Sequence, residues 1–230
     1  GLLATALARD GYQVGILDAD ITGPSIPMLF GLHGSVEPGP VGLRPILSES
    51  GVKIISMNFL LESEDRPVIW RGPLIGRAIT QLWGDVMWGD LDYLLVDLPP
   101  GTSDASLTTM QSLPVNGIIM VTTPQSLASM IVRKAVHMAQ AVNTPIVGVV
   151  ENMAYFLCPD TGKQHFIFGP SHAREVAIAA SAPLLAQLPI DPQVAASCDA
   201  GEIEQLNLAE VPAFLEAFIH VMPVAADILH

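Results

Sequence analysis

Short, almost wholly apolar runs alternate along the chain with longer stretches in which apolar residues recur every three or four positions. The runs Val14–Leu17, Val52–Leu61, Tyr93–Val96, Gly117–Val121, Pro145–Val150 and Leu185–Leu188 predict buried strands. The stretches between them predict amphipathic helices. One covers Gly1–Asp10, and a second spans Pro73–Trp88 with Ile75, Ile79, Leu82 and Val86 on one face. A third carries Leu127, Ile131, Ala135, Met138 and Val142, a fourth lies near Ser171–Ala182, and the last presents Val211, Leu215, Phe218 and Met222. Gly11 suits the end of the first helix, while Gly31–Pro45 is too rich in Gly and Pro for regular structure. Apolar strands alternating with helices predict an α/β fold, a mostly parallel sheet with helices on both faces. No internal repeat or linker breaks the pattern, so a single domain is expected over residues 1–230.

Half of the residues are hydrophobic and 14% are charged, enough apolar material for a core and no signature of disorder. No apolar run approaches the roughly 20 residues of a membrane helix. The net charge is −13, and no Lys or Arg follows Arg174. Such an acidic chain repels nucleic acid and anionic lipid, both of which are bound by neutralising phosphates. Two cysteines, Cys158 and Cys198, form no disulfide framework, and no targeting segment is visible, which fits a reducing, cytoplasmic setting.

Ligands of open parallel sheets bind outside the carboxyl ends of the strands. Three predicted strand ends carry polar chemistry: Asp18 and Asp20, then Asp97 with Pro99-Pro100-Gly101, then Asn152. An apolar strand ending in Asp can place a carboxylate beside the magnesium of a nucleotide. Gly101 offers a bare N–H for close approach to a phosphate. A strand-end Asp also serves as a helix cap or turn former, and Asn152 equally suits a turn that binds its own backbone. No G-x-x-x-x-G-K-[ST] loop occurs, and in proteins with that loop it lies immediately before the first helix. Because the chain opens inside a helix, the first strand and the phosphate-binding loop are expected upstream of Gly1.

The runs Leu17–Pro27, Trp70-Arg71-Gly72-Pro73, Asp92–Thr102, Thr123-Pro124-Gln125 and Val150-Glu151-Asn152-Met153 together resemble the Mrp/ApbC family. These are P-loop ATPases related to MinD and the nitrogenase iron protein, and the resemblance covers nearly the whole chain. It implies a deviant Walker A loop, a homodimer that sandwiches two ATP, and a role in carrying iron–sulfur clusters from scaffold to apo-protein. By position it makes Asp20 the switch residue that helps place the attacking water, supported by Asp18, which would otherwise reach Mg²⁺. Asp97 becomes the Walker B carboxylate on Mg²⁺, Gly101 the second switch glycine, and Asn152 the adenine ligand.

The family's cluster site, a 4Fe-4S centre bridging a dimer, uses two cysteines two residues apart after that Asn. Here the loop reads Cys158-Pro159-Asp160-Thr161-Gly162, with Thr161 at the second position. Threonine is a poor ligand for irons that favour thiolate. Cys158 is therefore read either as a cluster ligand or as a simple loop thiol, and Cys198 as structural near a helix end. His165 with Cys158 makes no metal signature. Two other functions remain to be weighed. A positioning ATPase of the MinD/ParA kind conflicts with a C-terminal segment, 208–230, that lacks Lys and Arg. A nucleotide-gated binding protein without cluster chemistry is consistent with the missing second cysteine.

Overall fold

The computed structural model describes residues 1–20, 23, 25–60, 72–101 and 104–224. Leu61, Trp70 and Arg71, on which sequence expectations fell, lie outside the described residues. The chain divides into two compact units, residues 1–113 with 193–207 and residues 114–192 with 208–230.

In the first unit, helix α1 (Leu2–Arg9) leads into strand β1 (Val14–Asp18). The helix stops where expected. Gly11 adopts φ 98°, and the amides of Gly11 and Tyr12 donate back to the carbonyls of Ala8 and Leu7. Those bonds satisfy carbonyls that the end of the helix would orphan. Beyond β1 come a short helix α2 (Ile26–Leu29) and strands β2 (Ile46–Leu47) and β3 (Lys53–Ser56). Helix α3 (Gly72–Asp85), strand β4 (Tyr93–Asp97) and helix α4 (Asp104–Ser112) follow. The strands order β2-β3-β1-β4, with β3, β1 and β4 parallel and β2 antiparallel at the edge. Ile16, Leu17, Ile54 and Ile55 are buried in the sheet, with Ala4 and Leu7 of α1 also buried beside it. Each large side chain so buried contributes roughly 1.5–3 kcal/mol.

The expected strand over Val52–Leu61 is shorter than its apolar run. It ends at Ser56, and Met57–Leu60 turns into a 3-10 helix. Apolar composition alone does not separate a strand from a buried turn that follows it. Segment 193–207 completes the unit. Gly31 and Gly201 meet there backbone to backbone, both at positive φ, and a Cβ on Gly201 would stand 2.4 Å from the Gly31 Cα.

In the second unit, strands β5 (Ile118–Thr122), β6 (Ile146–Glu151) and β9 (Leu184–Gln187) form a parallel sheet in the order β5-β6-β9. Between β6 and β9 lies an antiparallel hairpin of β7 (Phe156–Leu157) and β8 (Gln164–His165). Helices α5 (Ser126–Ala141), α6 (Ala173–Ala180) and α8 (Val211–Val221) belong to this unit, while α7 (Pro192–Asp199) runs into segment 193–207. The core gathers Met120, Val149, Val136, Ala139, Val176, Ala177 and Ala180. In α5 the fully buried positions are Val136 and Ala139, with the expected Ala135 packed at the core margin; in α8 Phe218 is buried as expected, and Phe214 is buried beside it.

The α/β class with a parallel-dominated strand arrangement is as the hydrophobic pattern predicts. The strands pair as one four-stranded and one three-stranded sheet.

Candidate functional site

Parallel pairing fixes the chemistry at the carboxyl end of the first sheet. Asp18 ends β1 and stands directly abreast of Asp97 on β4 and of Ser56 on β3. The Asp18 side chain is fully buried, and both of its oxygens are engaged. Ser56 Oγ donates to Oδ2 at 3.0 Å, and the backbone N–H of Asp20 donates to Oδ1 at 3.2 Å. The chain then turns: the Ala19 N–H reaches the Asp97 carbonyl at 2.9 Å, and the Gly23 N–H donates to Asp20 Oδ1 at 3.2 Å.

These carboxylates share one environment. Burial raises the Asp18 carboxyl from the usual 3.8 to about 7, against hydrogen bonds from Ser56 and Asp20 that pull it down and the charges of Asp97 and Asp20 that push it further up. Asp97 is likewise raised by burial and pushed further up by the charge of Asp20. The charge of Asp20 thus acts on both of its neighbours. Buried carboxylates held toward their neutral form are stabilised as anions by a hard divalent cation, whose preferred donors are oxygens of this kind. The donor set fits Mg²⁺. The Asp18 oxygens are already engaged by Ser56 and by the Asp20 amide.

Gly101 follows on the same unit, at φ 79° and open to solvent, with no atom within 4 Å of where a Cβ would stand. The left-handed backbone, rather than crowding, is what favours glycine there. An open groove of about 590 Å³ elsewhere on the unit, lined by Arg77, Thr80, Gln81 and Thr108, contains none of these groups.

The remaining predicted residues lie in the second unit. Asn152 directly follows β6. It is exposed, its N–H bonds the Thr122 carbonyl at 2.8 Å, and its Oδ1 accepts from Met153 N–H at 2.9 Å. Met153 has φ 55°, so Asn152 does form the backbone-binding turn that its sequence allowed. Before it, Glu151 is fully buried and accepts from Gln187 Nε2 at 2.7 Å, and Gln187 also donates to Ser171 Oγ at 3.1 Å.

Cys158 opens the β7–β8 turn. Its N–H donates to the Lys163 carbonyl at 3.0 Å, and its carbonyl accepts from the Gly162 N–H at 2.8 Å. The Thr161 hydroxyl, with the backbone N–H groups of Thr161 and Asp160, bonds the Cys158 sulfur and lowers its pKa. These bonds shift Cys158 toward the thiolate, the form that binds iron. Cys198 sits near the end of α7, where burial raises its thiol. Among the described residues no three His, Cys, Asp or Glu side chains converge as metal ligands, so His165 joins no such group.

The structure thus brings Asp18, Asp20 and Asp97 together and leaves Asn152 and Cys158 to the second unit. Sequence reasoning missed Ser56 and Glu151. Glu151 closes an apolar run in the sequence, whereas Ser56 sits inside the run Val52–Leu61 and carries no such mark.

Curated relatives match along most of the chain. The iron-sulfur cluster carrier protein of Aquifex aeolicus is 48% identical over 201 residues, 87% of this chain and 55% of that protein. The carrier of Clostridium perfringens is 45% identical over 222 residues, 93% of this chain and 78% of that protein. The chain thus spans about half the length of the first of these relatives. A nucleotide-binding protein of Archaeoglobus fulgidus, solved in complex with ADP, superposes with a TM-score of 0.79 at 44% identity, covering 90% of this chain and 81% of that one. The MinD cell division protein of Aquifex aeolicus gives a TM-score of 0.65 at 16% identity, over 96% of this chain and 88% of that one, a likeness of fold alone. The ParA family model described as NUBPL iron-transfer P-loop NTPase matches residues 1–222, and to that family this chain belongs.

Proposed function

We propose that this protein binds and hydrolyses Mg-ATP at the Asp18–Asp20–Asp97 cluster and uses that cycle to carry iron–sulfur clusters to apo-proteins. It works as a cytoplasmic homodimer that receives its cargo from a scaffold. The observation that carries the reading is that Asp18 and Asp97 end adjacent parallel strands abreast of one another, with Asp20 in the turn just beyond. In the reaction, water attacks the γ-phosphorus, the bond to the bridging oxygen breaks, and ADP leaves with that oxygen. Asp20 orients the water and Asp97 holds Mg²⁺, while Gly101 turns a backbone N–H toward the γ-phosphate. Bound magnesium supplies charge neutralisation on the phosphates. The Asn152 side-chain amide serves the adenine edge, its oxygen being held by Met153. Cys158 is the residue that meets the cluster cargo.

Asp20→Ala is expected to lower ATP hydrolysis by the intact protein at least about a hundredfold while Mg-ATP affinity changes only a few-fold. Lost binding with unchanged turnover per bound nucleotide contradicts the assignment. One observation favours a second reading, a nucleotide-gated binding protein without cluster chemistry. Thr161 stands where a second thiolate ligand would be needed.

A further inference from the structure

We propose that Ser56 is a positioning residue for nucleotide hydrolysis, setting Asp20 through the Asp18 carboxylate. This rests on the nucleotide-hydrolysing reading above. Strand β3 buries Ile54 and Ile55, and at its last residue it buries a hydroxyl completely. Burying a hydroxyl costs free energy unless it is hydrogen-bonded, and the Ser56 Oγ is bonded to Asp18 Oδ2 at 3.0 Å. The opposite oxygen of the same carboxylate receives the Asp20 N–H at 3.2 Å. Hydroxyl, carboxylate and amide therefore form one line across strands β3 and β1 into the turn that carries Asp20.

The torsion of a carboxylate about its last carbon–carbon bond is broad and has two near-equivalent wells. A donor on Oδ2 removes that freedom, and with it the freedom of the oxygen that anchors the Asp20 amide. Asp20 lies two residues past the strand, where pairing with β4 has ended after the single bond from Ala19 to Asp97. Its backbone is held from the strand side by Asp18, and its carboxylate is held from the turn side by the Gly23 N–H. Ser56 touches neither nucleotide nor water in this scheme. It acts by fixing the carboxylate on which the catalytic turn hangs.

The test is a double-mutant cycle on the intact protein, with amide exchange measured alongside. Ser56→Ala is expected to lower kcat for ATP about tenfold while KM stays within about twofold. In an Asp20→Ala background the same change should cost less than about twofold, because the residue it positions is already gone. Ser56→Thr, which keeps the hydroxyl, should retain kcat within about threefold. By NMR of the nucleotide-free protein, the Asp20 amide should exchange about tenfold faster in Ser56→Ala, with the amides of α1 unchanged. An unchanged kcat, an equal penalty in both backgrounds, or an unchanged Asp20 exchange rate overturns the proposal. A parent protein that hydrolyses no nucleotide overturns the proposed function instead, and exchange at Asp20 then still decides whether Ser56 sets that residue.

Discussion

Asp18 holds a fully buried carboxyl whose pKa lies near 7, between a neutral hydrogen-bonding acid and a cation ligand. The direction of its effect on stability follows from linkage. Its folded pKa lies above the unfolded value, so between about pH 4 and pH 7 the folded state keeps a proton that the unfolded state releases. Stability of the metal-free protein is therefore expected to fall by roughly 3–4 kcal/mol across that window and to level off above it. Asp97, also raised, adds slope of the same sign. Asp18→Asn, which cannot ionise, should flatten the Asp18 share of the slope in urea titrations at pH 5 and pH 8 with EDTA present. An equal slope in parent and variant would show that Asp18 titrates normally. The position of Asp18 was legible in the sequence because an Asp closes an apolar run. Its hydrogen-bond partners were not, because Ser56 lies 38 residues away and only the register of β1 on β3 joins them.

Elements differ in how plainly the sequence declares them. Strands β1, β4, β5 and β6 match apolar runs, β1 buried throughout and β4 mostly half-buried, with Val121 of β5 exposed. Helix α4 gave no such signal. Its buried positions are Ser106, Thr109 and Met110, so half-polar contacts stand where an apolar stripe would announce a helix. The two-stranded β7–β8 hairpin is too short for a periodic pattern, and its turn chemistry around Gly162 reads as loop. Segment 193–207 shows what sequence distance conceals. The Glu204 carboxylate accepts from the Ser48 hydroxyl at 2.8 Å, from the Glu49 amide at 3.1 Å, and from the Ser50 amide at 3.3 Å and hydroxyl, closing the β2–β3 turn. Arg9 of α1 ties the same segment by donating to the Leu206 carbonyl at 2.7 Å and to that of Glu204. Hydrogen bonds to a charged acceptor are each worth more than neutral ones, so Glu204→Ala should cost roughly 2–3 kcal/mol of unfolding free energy. A change below about 0.5 kcal/mol in urea unfolding, the size of an ordinary surface substitution, would show that the turn holds itself.

At the scale of the whole molecule, acidity and the cysteine loop shape the function together. The chain carries a net charge of −13, and no described helix is long and apolar enough to cross a membrane. On the proposed carrier reading, the β7–β8 loop would supply one sulfur per chain, with Thr161 at the position of the second. A four-iron cluster usually takes four thiolates, so two copies of Cys158 give half the set, and the remaining ligands must come from a small thiol or from the recipient. On that reading such a cluster would bind weakly and leave readily, as carriage would require. Iron and sulfide retained per chain after anaerobic loading and desalting of the intact protein tests this most directly. The account predicts a small, thiol-dependent content in the parent, none in Cys158→Ala, and a much larger and more stable content in Thr161→Cys. Equal iron in the parent and in Cys158→Ala would contradict it.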